Sequence, residues 1–221
     1  MSPSPLSQSP EVAAILARTP VIPVLTLEER LPAVALARAL VAGGLNVLEI
    51  TLRTEGALEA ARAIMAEVEG AVVGIGTVLS EAQMRASRKA GARFAVSPGA
   101  TTRLLESAAA AGMPYLPGAA TASEITALLE AGYTHLKFFP AEALGGVAAL
   151  KALAAPFRQV RFCPTGGIDA AKAPSYLALD CVAAVGGSWV APADRLAAGD
   201  WAAITRLAGE AAALRRKVMA A

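Results

Sequence analysis

Histidine is almost missing from this chain: His135 is the only one in 221 residues, and cysteine occurs twice, as Cys163 and Cys181. A catalytic zinc or a Ser-His-Asp triad would have to use that one imidazole, and the cysteines stand at no metal-ligand spacing. No metal and no cofactor are therefore expected. Reduced thiols in a cytoplasmic protein are the simplest reading of Cys163 and Cys181. Charge is scarce as well. Charged residues make up 17% of the chain, the formal net charge is +2 and aromatics are 5%, with no arginine cluster interleaved with aromatics. That balance excludes nucleic acid as the expected partner. Long apolar runs are missing too, since no segment has the roughly 18 consecutive apolar residues of a transmembrane helix. The longest uncharged stretch, Ser107 to Ser123, is broken by Gly112, Pro114, Pro117 and Gly118, so no membrane partner is expected. Met1 to Pro10 lacks the basic start and apolar centre of a signal peptide and reads as a flexible Ser/Pro-rich tail. Arg215-Arg216-Lys217 reads as the dipole-matched end of the last helix.

Hydrophobic residues are plentiful, at 55%, which excludes general disorder, and the excess is largely alanine. Residues 11–221 are expected to form one domain. Short β-type runs alternate with alanine-rich helical stretches. The pattern predicts strands over Val21–Leu25, Val47–Thr51, Val72–Thr77, Phe94–Ser97, Tyr115–Gly118, His135–Phe138, Arg161–Pro164 and Val182–Gly186. Helices are expected over Glu29–Ala42, Gly56–Val68, Glu81–Ala90, Thr102–Ala111, Ser123–Ala131 and Val147–Leu153, with an extra one at Glu11–Arg18. Glycines at Gly43-Gly44, Gly91, Gly112 and Gly132 supply left-handed helix ends. Eight strands alternating with helices predict an α/β fold, a single (β/α)8 TIM barrel with an extra N-terminal helix. An open doubly wound sheet is the alternative, but its dinucleotide fingerprint is incomplete at Gly74-Ile75-Gly76, which lacks the third glycine.

Lysine is also sparse, and one of the five is out of place. Lys89, Lys151, Lys172 and Lys217 have polar, helix-like or tail surroundings, whereas Lys137 interrupts the apolar run His135-Leu136-Lys137-Phe138-Phe139. Burial disfavours the ammonium, and a neutral amine can attack a ketone to form a Schiff base. A lysine that snorkels to the strand end or pairs with a carboxylate is the plainer alternative.

Barrel chemistry sits at the C-terminal strand ends. In the second strand, Val47, Glu49, Thr51 and Arg53 share one face, and Leu48, Ile50 and Leu52 share the face expected to meet the helices. The same alternation turns Lys137 and Phe139 inward, with Thr77 and Thr165 at their strand ends. An internal Glu49–Lys137 ion pair could merely fill the barrel, yet such pairs seldom add net stability, so a functional role is preferred. Pro164-Thr165-Gly166-Gly167 and Gly186-Gly187-Ser188-Trp189 follow the last two strands, where barrels often build a phosphate cup from backbone N–H groups. Trp189 and Asp194 are read as packing and turn residues.

Several stretches together resemble the 2-keto-3-deoxy-6-phosphogluconate aldolases, many of which are also 4-hydroxy-2-oxoglutarate aldolases. They are Pro20-Val21-Ile22-Pro23-Val24, Leu48-Glu49-Ile50-Thr51-Leu52-Arg53-Thr54, Gly74-Ile75-Gly76-Thr77-Val78-Leu79, Ser97-Pro98-Gly99 and Lys137-Phe138-Phe139-Pro140-Ala141-Glu142, with Arg161-Phe162-Cys163 and the two glycine-rich ends above. The resemblance implies a metal-independent class I aldolase on a homotrimeric barrel of the Entner-Doudoroff pathway. Such an enzyme cleaves the phosphorylated keto-sugar acid to pyruvate and D-glyceraldehyde 3-phosphate, and 4-hydroxy-2-oxoglutarate to pyruvate and glyoxylate. It carries the Schiff base to Lys137 and the general acid/base to Glu49. Arg53 and Thr77 would bind the pyruvyl carboxylate, Pro98, Phe139 and Thr165 would line the pocket, and Gly166, Gly167, Gly187 and Ser188 would hold phosphate. An aldolase for the galactonate epimer, a phosphate-binding barrel isomerase or synthase, and a non-catalytic barrel remain as alternatives.

Overall fold

The computed structural model describes residues 9–27 and 32–214. After α1 (Ser9–Leu16), strands and helices alternate: β1 (Val21–Leu25), α2 (Ala33–Ala42), β2 (Val47–Thr51), α3 (Ala57–Glu67), β3 (Val72–Gly76), α4 (Glu81–Lys89), β4 (Phe94–Val96) and α5 (Thr102–Ala110). A broken strand follows, β5 (Tyr115–Leu116) and β6 (Gly118–Ala119), then α6 (Ala122–Glu130), β7 (His135–Phe138), α7 (Gly146–Ala154) and β8 (Arg161–Pro164). The chain closes with α8 (Ala173–Leu177), β9 (Val185–Gly187), α9 (Ala193–Ala198) and α10 (Trp201–Ala212). Side-chain oxygens cap several helices where they leave the strand loops, among them Ser80, Thr101, Asp200 and Thr121, the last in a capping box with Glu124.

All strand pairs are parallel. Six strands run in the order β5-β4-β3-β2-β1-β9, and three more in the order β6-β7-β8. Strands neighbouring in sequence are neighbours in the sheet from β1 to β5, which the order reversal of a doubly wound sheet would not give. Pro117 divides β5 from β6 because it has no N–H for the ladder, although its carbonyl still accepts from Lys137 N at 2.8 Å. Across the other seam, isolated parallel bridges join Phe162 to Val182 and Thr165 to Gly186. The result is an α/β fold around a curled parallel sheet.

The two strand faces separate as the alternation requires. Leu48, Ile50, Val73, Ile75, Leu136 and Phe138 pack with helix residues such as Leu36, Leu40 and Ile64. Ile22, Val47, Phe94, Val96, Leu116, Cys163 and Ala184 form a second cluster, closed by Val12 and Leu16 of α1. Small buried alanines (Ala37, Ala57, Ala61, Ala108) let the helices lie close to the sheet.

Local expectations needed adjustment in several places. The N-terminal helix includes Ser9 and Pro10 and ends at Leu16, since proline is tolerated in a first helical turn; residues 1–8 of the expected tail lie outside the described residues. The second helix begins after Pro32, and Glu29 to Leu31 of its expected start are likewise outside them, as are Arg215, Arg216 and Lys217. The last strand is Val185–Gly187, later than Val182–Gly186. Asp194 belongs to the first turn of α9 and is not a turn residue. Gly44, Gly91, Gly112 and Gly132 do adopt positive φ, but Gly43 is right-handed.

Candidate active site

Alternation along β2 turns Glu49 to the inner side of the curled sheet, and alternation along β7 turns Lys137 to meet it. Their side chains are joined by a 3.0 Å contact between Lys137 Nζ and Glu49 Oε1. The two residues are 6% and 3% exposed, so this is a desolvated ion pair within direct proton-transfer distance. Its surroundings are shaped for it. A methyl group on Gly76, paired with Thr51 across β2 and β3, would overlap the Glu49 carboxylate; glycine is needed there for the carboxylate to lie flat against β3. Cys163 pairs with Lys137 in the β7–β8 register, and burial pushes its thiol up to about 12, which keeps that thiol neutral.

Lys137 Nζ lies 5.5 Å from the centre of the Phe139 ring, within cation–π range, and that ring forms part of the wall of a cavity of about 660 Å³. The cavity brings together Arg53, Phe139, Thr165, Gly166, Gly167, Gly187 and Ser188, seven of the sequence-predicted residues from four strand ends. Lys137, Glu49, Thr77 and Pro98 are not on its wall. The connection to the ion pair runs through Phe139 and through Thr165, whose N–H donates to Phe138 O at 2.9 Å. Thr77 immediately follows β3 with φ +59°, an uncommon conformation for a β-branched residue. Pro98 is held from beside Lys137, because Gly118 pairs with Lys137 and a methyl group on Gly118 would overlap the Pro98 carbonyl.

Of the two glycine pairs after the last strands, only the first has left-handed backbone. Gly166 and Gly167 have φ of +104° and +78°, which side chains rarely adopt. Gly187 lies flat beneath the Trp189 ring, which would collide with any side chain there. Trp189 thus packs as expected, and it also lines the cavity together with the start of α9 at Pro192 and Ala193.

Two features of the site were not read from the sequence. Thr51 donates to Leu25 O at 3.0 Å and lies 2.9 Å from the Thr26 hydroxyl, fixing the ends of β1 and β2 against each other. Glu142 ties the β7 and β8 loops together. Its N–H donates to Gly166 O at 3.1 Å, its carboxylate accepts from the Tyr176 hydroxyl at 2.5 Å, and Lys172 Nζ lies 3.2 Å away. Lys172 also donates to Gly167 O at 3.0 Å. The Tyr176 hydrogen bond, and then Lys172, hold the Glu142 carboxyl below the usual carboxylate range. Pro140-Ala141-Glu142 was a visible motif without a role. Nothing local marked Tyr176, which comes from α8.

Comparison with known proteins identifies the family. Residues 12–207 match the family model described as KDPG and KHG aldolase. The KHG/KDPG aldolase of Escherichia coli K12 is 54% identical over 198 residues, covering 90% of this chain and 93% of that protein. Among solved structures, the 2-keto-3-deoxy-6-phosphogluconate aldolase of Zymomonas mobilis ZM4 with 3-phosphoglycerate superposes with a TM-score of 0.89 at 50% identity, covering 93% of this chain and 97% of that one. The KDPG aldolase of Legionella pneumophila, with pyruvate captured as a covalent carbinolamine, gives 0.88 at 44% identity, covering 90% and 97%. The chain belongs to the KDPG and KHG aldolase family.

Proposed function

We propose that this chain is a Schiff-base aldolase that cleaves 2-dehydro-3-deoxy-6-phosphogluconate to pyruvate and D-glyceraldehyde 3-phosphate, and also accepts 4-hydroxy-2-oxoglutarate. The observation that carries the mechanism is the buried Lys137–Glu49 pair at 3.0 Å, set behind a cavity whose far wall is two positive-φ glycines. Glu49 takes a proton from the Lys137 ammonium, and the freed amine attacks the C2 ketone. The carbinolamine loses water, with Glu49 returning the proton, and leaves a protonated imine. That cation is the electron sink: Glu49 removes the C4 hydroxyl proton, the C3–C4 bond breaks, and its electron pair forms the enamine as the aldehyde departs. Protonation at C3 and hydrolysis of the imine release pyruvate and regenerate the lysine.

The remaining residues divide the substrate between them. Arg53, with Thr77, holds the carboxylate, a geometry suited to a guanidinium fork. Pro98, Phe139 and Thr165 line the reacting carbons. Gly166, Gly167, Gly187 and Ser188 receive the phosphate, and binding at that remote end positions the scissile bond. The carbinolamine captured in the Legionella pneumophila relative supports the covalent route. The two bridges from β8 toward β9 and the pairing of β9 with β1 support closure of the sheet into a (β/α)8 barrel, with α1 covering one end and residues 11–221 as its single domain. A homotrimer in the cytoplasm, working in the Entner-Doudoroff pathway, completes the reading and rests on the family resemblance.

The test is reduction with borohydride in the presence of pyruvate, followed by peptide mapping. The expected result is one stable pyruvyl adduct, on Lys137. An adduct on Lys89, Lys151, Lys172 or Lys217, or none, would overturn the mechanism. A sedimentation mass of one chain at micromolar concentration would overturn the trimer alone.

A further inference from the structure

A second cavity, of about 480 Å³, opens at the other end of the strands. Val72 begins β3, Arg93 immediately precedes β4 and Pro114 immediately precedes β5, and all three line it. The rest of its wall comes from Glu11, Ala14 and Ile15 of α1, Arg18 in the turn after it, Arg88 of α4, and Gly112. The proposed active site lies at the C-terminal strand ends, so the two cavities occupy opposite ends of the sheet.

Three exposed arginines, Arg18, Arg88 and Arg93, therefore line one space with a single acidic residue, Glu11. Among the described residues none of the three is within ion-pair distance of a carboxylate, which is also true of Arg62, Arg103, Arg158 and Arg161, whereas Arg38, Arg85, Arg195 and Arg206 each have an acidic partner; what sets the three apart is that they share one cavity. Met1 to Gln8, the segment preceding α1, contains no Asp or Glu. Arg88 stands in the last turn of α4, where a cation is favoured by the helix dipole, but Arg18 and Arg93 have no such reason to be there. Mutual repulsion of three cations around a cavity is unfavourable until an anion enters it.

We propose that this cavity is a binding site for a small phosphorylated anion of two or more negative charges, separate from the substrate phosphate cup. Its volume falls in the range of small-molecule sites. Guanidiniums from three separate elements suit the tetrahedral oxygens of phosphoryl groups better than the flat edge of one carboxylate. Ile15, Val72 and Pro114 offer an apolar floor for the remainder of the ligand.

The test is calorimetric titration of the full chain with inorganic pyrophosphate at low ionic strength. The wild type and the variants Arg18→Gln, Arg88→Gln and Arg93→Gln are compared, with Lys89→Gln, an exposed neighbour outside the cavity, as the control. The substrate cup contributes equally to all of these proteins, the triple arginine variant included. The expected result is that each arginine variant weakens one class of sites by about tenfold and that the triple variant loses it. Lys89→Gln should bind as the wild type does, and aldol cleavage in the triple variant should stay within about twofold of normal. Equal binding by the triple variant, equal weakening by Lys89→Gln, or no second class of sites in the wild type would overturn the proposal. Citrate binding more tightly than pyrophosphate would overturn the phosphoryl assignment.

Discussion

Lys137 and Glu49 stand 3.0 Å apart with little water around either, and the pair can be probed for chemistry and for stability separately. Replacing both members of a buried pair by apolar residues is often neutral or stabilising, while removing one leaves a buried charge and costs about 3–5 kcal/mol. Lys137→Met/Glu49→Leu is therefore expected to unfold in denaturant at or above the wild-type midpoint while forming no pyruvyl adduct. Such a result would mean that the pair is kept for reaction and not for folding. Glu49→Gln retains shape and polarity but removes the proton acceptor, so kcat should fall by about two to four orders of magnitude, with a smaller change in KM. Near-normal kcat in Glu49→Gln would reduce the acid to a counter-ion of Lys137.

In the proposed reading the loops after β8 and β9 set substrate preference, and the β8 loop is tied to its neighbours by visible contacts. Ser188 is exposed at the mouth of the larger cavity, and its hydroxyl can donate to a phosphate dianion, a charge-assisted bond worth about 1.5–3 kcal/mol. Ser188→Ala should lower kcat/KM for the phosphorylated substrate by about one to two orders of magnitude and leave 4-hydroxy-2-oxoglutarate cleavage nearly unchanged. Steady-state kinetics on both substrates decides it; equal losses would make the loop a structural support only. The clasp of Tyr176, Glu142 and Lys172 acts one step further out. Tyr176 is buried and comes from α8, and Gly167 lies so close to Glu142 that a methyl group at Gly167 would overlap its side chain. Tyr176→Phe removes the 2.5 Å hydrogen bond to Glu142 and loosens the loop, leaving the Lys172 contacts in place. Its KM for the phosphorylated substrate should rise by about threefold to tenfold, the equivalent of roughly 1 kcal/mol for one neutral donor lost, with kcat on the unphosphorylated substrate retained.

For the whole molecule, the single imidazole, His135, links stability to pH. Burial, and secondarily Arg161, hold its imidazole below the ordinary value of 6.5. The unfolded chain therefore takes up this proton first as pH falls, and stability declines from about pH 6.5 downward until the folded state is protonated as well. His135→Gln should flatten the dependence of Tm on pH in that window. Glu142, Asp169 and Asp200, whose carboxyls are held below their ordinary range, contribute at lower pH; their stabilisation is present above the ordinary carboxylate value and lost as pH falls through the folded one. An unchanged slope in His135→Gln would assign the loss to the carboxylates. Among the described residues no group of three or more His, Cys, Asp or Glu side chains could hold a metal ion, and cleavage is expected to survive exhaustive chelation. Recovery of lost activity by a divalent ion would contradict that expectation.

The order of strands and helices, the face on which Glu49 and Lys137 lie, and the glycine pairs after the last two strands were legible in the sequence. All three depend on local periodicity and on the steric freedom of glycine, which a few neighbouring residues decide. Strand limits were less legible where pairing across the sheet sets them. Pro117 divides a strand that reads as continuous, and Val182 makes only an isolated bridge while β9 starts at Val185. The clasp of Glu142, 34 residues from Tyr176, and the three arginines gathered from the turn after α1, from α4 and from the edge of β4 have no local signature, because each depends on side chains from segments far apart in the chain. The sequence by itself determined which residues could react; only packing of the curled sheet decided that Glu49 and Lys137, 88 positions apart, would be pressed together out of water, where a proton can pass between them.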